Sequence, residues 1–378
     1  MKITTALLFL PLAAFVASAA APTVTLTRVP MNGLQPQSVV DAQGTVHVVF
    51  LTGKERASDV FYTTKRSGQT AFTKPVQVNQ RPGSAIAVGT IRGAQLVLGK
   101  AGRVHVLWNG AAGPNGHKDA PLLYTRSLAE GAGFEPERNL MTLTQMLDGG
   151  GSIAADAKGN VYAVWHAALK EGGGHGEIAR GVYVSASADD GASFAREERI
   201  NAEPGVCGCC ALETFVDDAG RLHTLYRGAQ KISQRDMLHL VGSRAGAVTS
   251  AAVGAWRIGT CPMSNAAFTQ TARGLLGAWE TENRIVFAQL DNAGRAVKST
   301  TLPGTTRQRH PTLAANAEGF VLLAWSENTA WQKGGDVAWQ VFNKDGTRAP
   351  IAGRKSGVPV WSLPAAFPVA GGGFEILY

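Results

Sequence analysis

The chain has 378 residues, of which 17% are charged and 45% hydrophobic, with 45 glycines. That composition has enough apolar content for a large core, and its glycine favours many tight turns over long helices. The net charge of +8 is scattered, with no basic run and no interleaved aromatics, which argues against nucleic acid as a partner.

The chain opens on "MKITTALLFLPLAAFVASAAAPTV". Lys2 precedes an apolar stretch from Ile3 to Val16, and small residues follow. Ala17-Ser18-Ala19 and Ala19-Ala20-Ala21 both fit a small-x-small cleavage site. This predicts a signal peptide over 1–21 and export to the periplasm or beyond, with no transmembrane anchor. Residues 22–378 are then one domain.

After an orphan strand, "PTVTLTRVP" (Pro22 to Pro30), one pattern recurs. A short apolar strand leads to a turn ending in glycine, then to an alternating strand that closes on an aromatic. The clear copies are "PQSVVDAQGTVHVVF", "AQLVLGKAGRVHVLW", "GSIAADAKGNVYAVW" and "LETFVDDAGRLHTLY". Weaker copies end at Trp279, Trp325 and Tyr378. The turn glycines are Gly44, Gly102, Gly159, Gly220, Gly274, Gly319 and Gly373, about 45–60 residues apart, a period typical of propeller blades. Two further strand-like segments separate successive copies. Four strands per repeat predict an all-β, β-propeller fold of antiparallel blades. Seven blades are favoured over six, with the N-terminal strand closing the last. His47, His105 and His223 fall on one strand face and read as polar packing between blades. "HAALKEGGGHGE" (His166 to Glu177) reads as a flexible loop.

"SADDGASF" (Ser187 to Phe194) fits S-x-D-x-G-x-[ST]-[WF], and so resembles the Asp-box of the sialidase-like propeller superfamily. The resemblance implies a structural turn: Asp189 accepts backbone N–H groups, Gly191 takes a left-handed conformation, and Phe194 packs inward beside Ser187. Sialidases use an arginine cluster, a Tyr–Glu pair and an acid/base aspartate. Carried over, the arginines are Arg28 in "LTRVP", Arg227 in "LYRG" and Arg309 in "RQRHP", with Glu213 as the glutamate. Thr27 stands where an aromatic belongs, and the aspartate has no counterpart. An exo-α-sialidase or related glycosidase is therefore the alternative expectation.

The remaining signal is cysteine. "CGCC" places Cys207, Cys209 and Cys210 just before the fourth repeat, and "CPM" places Cys261 and Met263 just before the fifth. With Tyr226-Arg227, Arg235-Asp236 and "WRIGTCP", this resembles exported bacterial sialidase-like proteins carrying C-x-C-C and W-x-[IL]-x-x-C-P. Equivalent connections of adjacent blades share a face, so the four sulfurs should converge near the axis. Three chemistries fit. Two disulfides suit an exported protein, with Cys261 bonded to Cys209 or Cys210 and Cys207 to the other. A soft cage with the Met263 thioether suits copper or zinc. A strained vicinal pair suits redox exchange. The expectation is a non-hydrolytic, monomeric binding or metal-handling propeller whose ligand is a glycan, a metal or a protein.

Overall fold

Each repeat is organised by its first turn. In blade 1, Asp41 Oδ1 accepts the N–H groups of Gln43 and Thr45 at 2.9 and 2.7 Å, and Gly44 N donates to Asp41 O. Gly44 sits at φ 76°, a conformation glycine reaches without Cβ strain. Asp156 and Asp217 make the same pair of bonds in blades 3 and 4. The turn fixes register, so the apolar residues of the following strand face the neighbouring blade.

A computed structural model describes residues 21–112, 119–128, 133–231, 233–242 and 248–378. The predicted leader, apart from Ala21, lies outside them. Seven sheets follow in chain order. Blade 1 is Leu34–Val40, Val46–Lys54, Ala57–Lys65 and Val76–Gln77; blade 2 is Gln95–Leu98, Val104–Asn109, Leu122–Arg126 and Arg138–Asn139. Blade 3 is Ser152–Ala155, Val161–Leu169, Gly181–Ser187 and Glu198–Arg199, with Thr144–Gln145 added against the end of its second strand. Blade 4 is Glu213–Val216, Leu222–Arg227, Met237–Gly242 and Thr249–Gly254. Blade 5 is Ala266–Thr271, Gly274–Thr281, Arg284–Leu290 and Ala296–Thr301; blade 6 is Gln308–Ala315, Val321–Glu327, Gly335–Phe342 and Arg348–Val358. The first strand of each lines the axis.

Blade 7 has three strands: Ala365–Pro368, Phe374–Leu377 and the N-terminal Val24–Thr27. The closing strand pairs parallel to Phe374–Leu377, Val24 facing Phe374 and Thr27 facing Leu377. The expectation of wholly antiparallel blades is corrected here. A third strand is missing, so a chain running in the direction of an outermost strand docks directly on the second. Apart from short 3-10 turns the described residues are strand, turn and loop, and no helix among them is long and apolar enough to cross a membrane.

The aromatics that end the second strands cement the ring. Phe50 packs with Phe367 and Leu377 of blade 7, and Trp108 with Val49, Leu51 and Val60 of blade 1. Trp165 packs with Leu107, Leu122 and Tyr124 of blade 2, and Tyr226 with Tyr162, Val164 and Val182 of blade 3. Trp279, Trp325 and Tyr378 repeat this against blades 4, 5 and 6. Every blade thus buries its aromatic against the preceding one, and each sheet covers the next.

Ser187, Asp189, Gly191 and Phe194 form the turn between the third and fourth strands of blade 3, on the face opposite the cysteines. Ser193 N and Oγ donate to Asp189 at 2.9 and 2.6 Å, and Gly191 N donates to Ser187 Oγ at 2.9 Å. Gly191 is at φ 74°, and Phe194 packs edge-on to Tyr124 of blade 2 at 4.8 Å. Ser187→Ala removes an acceptor from Gly191 and Asp189. It is expected to cost about 1–2 kcal/mol of stability, read from urea unfolding.

Candidate functional site

The antiparallel alternation puts the connections between blades, and those between second and third strands, on one face. Twelve of the fourteen non-glycine residues with left-handed φ among the described residues lie on this face; only Ala101 and Asp190 do not. Strained backbone of this kind gathers where the surrounding structure has a task to perform.

Two loops of this face carry the cysteines, and the backbone stitches them together. Cys207 N donates to Arg227 O at 2.9 Å, fastening "CGCC" to the end of the second strand of blade 4. Gly208 N donates to Glu177 Oε1 at 2.8 Å, and His166 Nε2 donates to Cys210 O at 2.8 Å, both from blade 3. Ala211 N donates to Ser264 O at 3.0 Å, tying this loop to the one that carries Cys261. The second loop is held from blade 6. Arg307 and Arg309 donate to Pro262 O, and Arg309 also to Met263 O.

Cys207, Cys209 and Cys210 are buried. The Cys207 Sγ lies 3.5 Å from Cys209 Sγ and 3.6 Å from Cys210 Sγ, and the three sulfurs all lie within 4.8 Å of one another. Cys261 is exposed and lies outside this group of three mutually close sulfurs. The half-buried Met263 packs against the cluster. The sulfurs are thiols at these separations. Burial pushes the Cys210 thiol up, but S–H donation from Cys207 and Cys209 and the Arg227 guanidinium outweigh it and hold Cys210 well below the usual thiol range. Hydrogen bonds to Cys207, Cys210 and Cys261, with burial, push Cys209 up.

Guanidiniums surround the cluster. Arg180 and Arg227 are 5% and 1% exposed. Arg180 donates to Met146 O and to His166 Nδ1; Arg227 donates to Arg235 O and Glu280 O and stacks on Trp256 at 4.8 Å. Neither forms a direct ion pair among the described residues, though the carboxylates of Asp148 and Glu177 act on Arg180 at longer range and that of Glu280 on Arg227. Arg235 is paired with Glu177 at 2.6 Å, and Arg307 with the buried Glu280 at 2.7 Å. The Nε atoms of Arg227, Arg235 and Arg309 are buried without an acceptor. Cys-x-Cys-Cys, Tyr226-Arg227, Arg235-Asp236 and Trp256 through Pro262, separate in sequence, meet at this one place.

No protein-family model matches the sequence, and no curated protein is significantly similar to it. Solved structures share its fold. An α-L-arabinanase of Penicillium chrysogenum, complexed with arabinobiose, superposes with TM-score 0.57 at 10% identity over 86% of this chain and 99% of that one. The Hadza microbial sialidase Hz136 gives 0.53 at 14% identity over 84% and 66%. The NanB sialidase of Streptococcus pneumoniae gives 0.55 at 6% identity over 90% and 71%. Identity this low establishes the propeller architecture and leaves the chemistry to the site.

The residues carried over from sialidases do not assemble around one carboxylate. Arg28 is exposed just beyond the outer strand of blade 7; it donates to Gly357 O and lies over the Tyr378 ring at 4.1 Å. Glu213 lines the axial channel, a cavity of about 140 Å³ bordered also by Gln35, Gln95 and Asn265. Burial of its carboxyl raises its pKa to about 8, opposed by the Ser152 hydroxyl alone, with no guanidinium acting on it. Arg227 and Arg309 instead sit beside the cysteine loops, donating to Arg235 O and Glu280 O and to Pro262 O and Met263 O.

Sequence reasoning missed Arg180, Glu177 and His166. The segment 166–177, expected to be a flexible loop, contributes the buried His166 and the clamp Glu177. The strand histidines are polar packing, largely within their own blades: His47 on Tyr62 at 2.6 Å, His105 on Tyr124 at 2.7 Å, His223 on His239 at 3.1 Å.

Proposed function

We propose that this chain is an exported propeller that holds one thiophilic metal ion, copper(I) or zinc, at Cys207, Cys209, Cys210 and Cys261, with Met263 alongside. The observation that carries the reading is the group of three crowded, buried sulfurs, with two buried guanidiniums, Arg180 and Arg227, beside them and neither in a direct ion pair. A zinc tetrathiolate or a copper(I) trithiolate carries a charge of −2 and would balance them at close range; protonated thiols or disulfides would leave them only the more distant carboxylates, and weakly compensated buried charge is costly. The donor set fits. Zinc–sulfur bonds of about 2.3 Å imply sulfur–sulfur separations of about 3.8 Å in a tetrahedral site, close to the 3.5 and 3.6 Å found. The bound ion would keep the sulfurs deprotonated and withdraw them from oxidation. The protein's own part is to orient the sulfurs and neutralise their charge: His166 grips the Cys210 carbonyl, Glu177 grips the Gly208 amide, and Arg309 fixes the Cys261 loop.

The test is loading of the reduced full-length chain, without oxygen, with zinc or with copper(I) in competition with a chromogenic chelator. One equivalent of metal, retained through gel filtration with the four thiols shielded from alkylation, is the expected result. Four freely alkylated thiols and no metal would sink the reading, as would an isolated chain four hydrogens light.

A glycosidase is the second reading. It is favoured by the Glu213 carboxyl held protonated at neutral pH in the axial channel, and by the glycan-active proteins that share the fold. It predicts turnover of a fluorogenic sialoside or arabinoside that Glu213→Gln abolishes.

A further inference from the structure

One buried acceptor beside the axis has no partner. Gln35 is 2% exposed, with its backbone held at φ 51° and its N–H donated to Ser362 Oγ at 3.0 Å. Its Nε2 donates to Ala87 O and, at 2.8 Å, to Trp361 O. Those two carbonyls fix the amide, because turned over its oxygen would face both of them. Oε1 points instead towards Gly93, where an added Cβ would come within 3.0 Å of it, and it accepts no hydrogen bond among the described residues. Gln35 and Gly93 both line the axial channel. A buried acceptor left unmade costs stability, so this position suits a donor from a ligand.

Glu213 borders the same cavity. Its one hydrogen bond among the described residues comes from Ser152 Oγ, at 3.4 Å to Oε2, which leaves Oε1 to the channel. Of the strands packed on its own, Ser152–Ala155 and Ala266–Thr271 carry no ionisable group. On Leu222–Arg227, His223 turns to Asp217 and His239, and Arg227 to carbonyls and Trp256. His310 is turned to Asn265 at 3.2 Å. The channel therefore joins one carboxyl to one unpartnered amide oxygen, and Pro36, Pro311 and Leu363 add apolar wall. An anion would find no guanidinium on that carboxyl. Calcium takes about 6–8 oxygen ligands, which a lone carboxylate with its amide neighbours serves poorly. The cavity of about 140 Å³ is close to the roughly 150 Å³ that holds a benzene ring.

We infer that the axial channel binds a small organic cation, a primary ammonium on a short apolar body. Its N–H groups donate to Glu213 Oε1 and Gln35 Oε1, and its carbons lie against the prolines. The sulfurs and their metal take no part. The carboxyl serves a charge here, where a glycosidase would have it serve a sugar. Burial keeps Glu213 protonated at neutral pH. A cation beside it favours the ionised form, so binding expels close to one proton.

The test is titration calorimetry of the full-length chain at pH 7 with n-butylammonium chloride, with potassium chloride matching the ionic strength and 1-butanol as the uncharged probe of like size. The expected result is saturable one-to-one binding of butylammonium, with a proton released, read from the difference in heat between phosphate and Tris buffers. Glu213→Gln, which keeps the shape of a protonated acid, should weaken binding by about tenfold or more, the worth of a charged hydrogen bond, and abolish the proton release. Gln35→Leu should weaken binding and leave the proton release. Urea unfolding checks that both variants keep the propeller. Butanol bound as well as butylammonium, binding undiminished in Glu213→Gln, or no saturation at tens of millimolar would overturn the inference. L-Arabinose bound in place of butylammonium, and lost in Glu213→Gln, would overturn it in favour of the glycosidase.

Discussion

Cys210→Ser is expected to weaken zinc or copper(I) binding by about 10²–10³-fold. Structural thiolate sites bind zinc with roughly 10–16 kcal/mol, and one sulfur in four carries about a quarter of that. Cys210 is the proposed ligand on which the fold acts most. Hydrogen bonds from Cys207 and Cys209 and the Arg227 guanidinium lower its pKa against burial, and His166 holds its carbonyl. A serine hydroxyl keeps the volume but stays protonated, so Arg227 loses its compensation as well. The measurement is chelator competition on wild type and variant, with unfolding curves to show that the propeller persists. Equal affinity in the two proteins would move the metal elsewhere.

The blades were legible because each depends on a local signal. A glycine at a left-handed turn and an aromatic five or six residues later recur at Gly44/Phe50, Gly102/Trp108 and Gly159/Trp165, and the aromatics do bridge blades. Convergence of "CGCC" and "CPM" followed from topology, because equivalent connections of adjacent blades must share a face. The parallel sense of Val24–Thr27 was not legible: alternation of apolar residues is the same in either direction, and the sense depends on a strand that is missing elsewhere. The shell around the sulfurs was hidden for a different reason. Glu177 and Arg180 belong to a glycine-rich crossover with no periodicity, and they become buried partners only once that crossover folds over the cysteine loop. Arg227 was read as an element of carboxylate recognition. In the fold its side chain reaches carbonyls and Trp256 beside Cys210, because strand direction carries it to the cysteine loop rather than into the channel.

Acidification from pH 7 to pH 4 is expected to remove most of the folding stability. His105, His166 and His239 are 0–1% exposed, and burial first of all lowers the pKa of each to about 4. The unfolded chain binds protons at these groups from about pH 6.5. Between about 6.5 and 4 the unfolded state therefore holds more protons than the native one, and stability falls with pH at about 1.4 kcal/mol per unit for each group. Glu213 acts in the opposite sense. Its native pKa of about 8 lies above the unfolded value, so the native state holds the extra proton, and stability rises as pH falls towards 4.5. His223 and His310 are lowered by burial in the same sense as the three, and Glu280 is raised like Glu213, so imidazoles outnumber acids and the net loss is on the order of 5–10 kcal/mol, comparable with the roughly 5–15 kcal/mol that holds a typical domain together. Urea midpoints at half-unit pH steps measure this directly. His105→Gln should flatten the slope by about 1.4 kcal/mol per unit, one proton's worth. The Tyr124 hydroxyl, 2.7 Å from the ring in the wild type, keeps a polar neighbour in that variant. A midpoint indifferent to pH between 7 and 4 would mean that these imidazoles titrate alike in the folded and unfolded chain, and would contradict their burial between the blades.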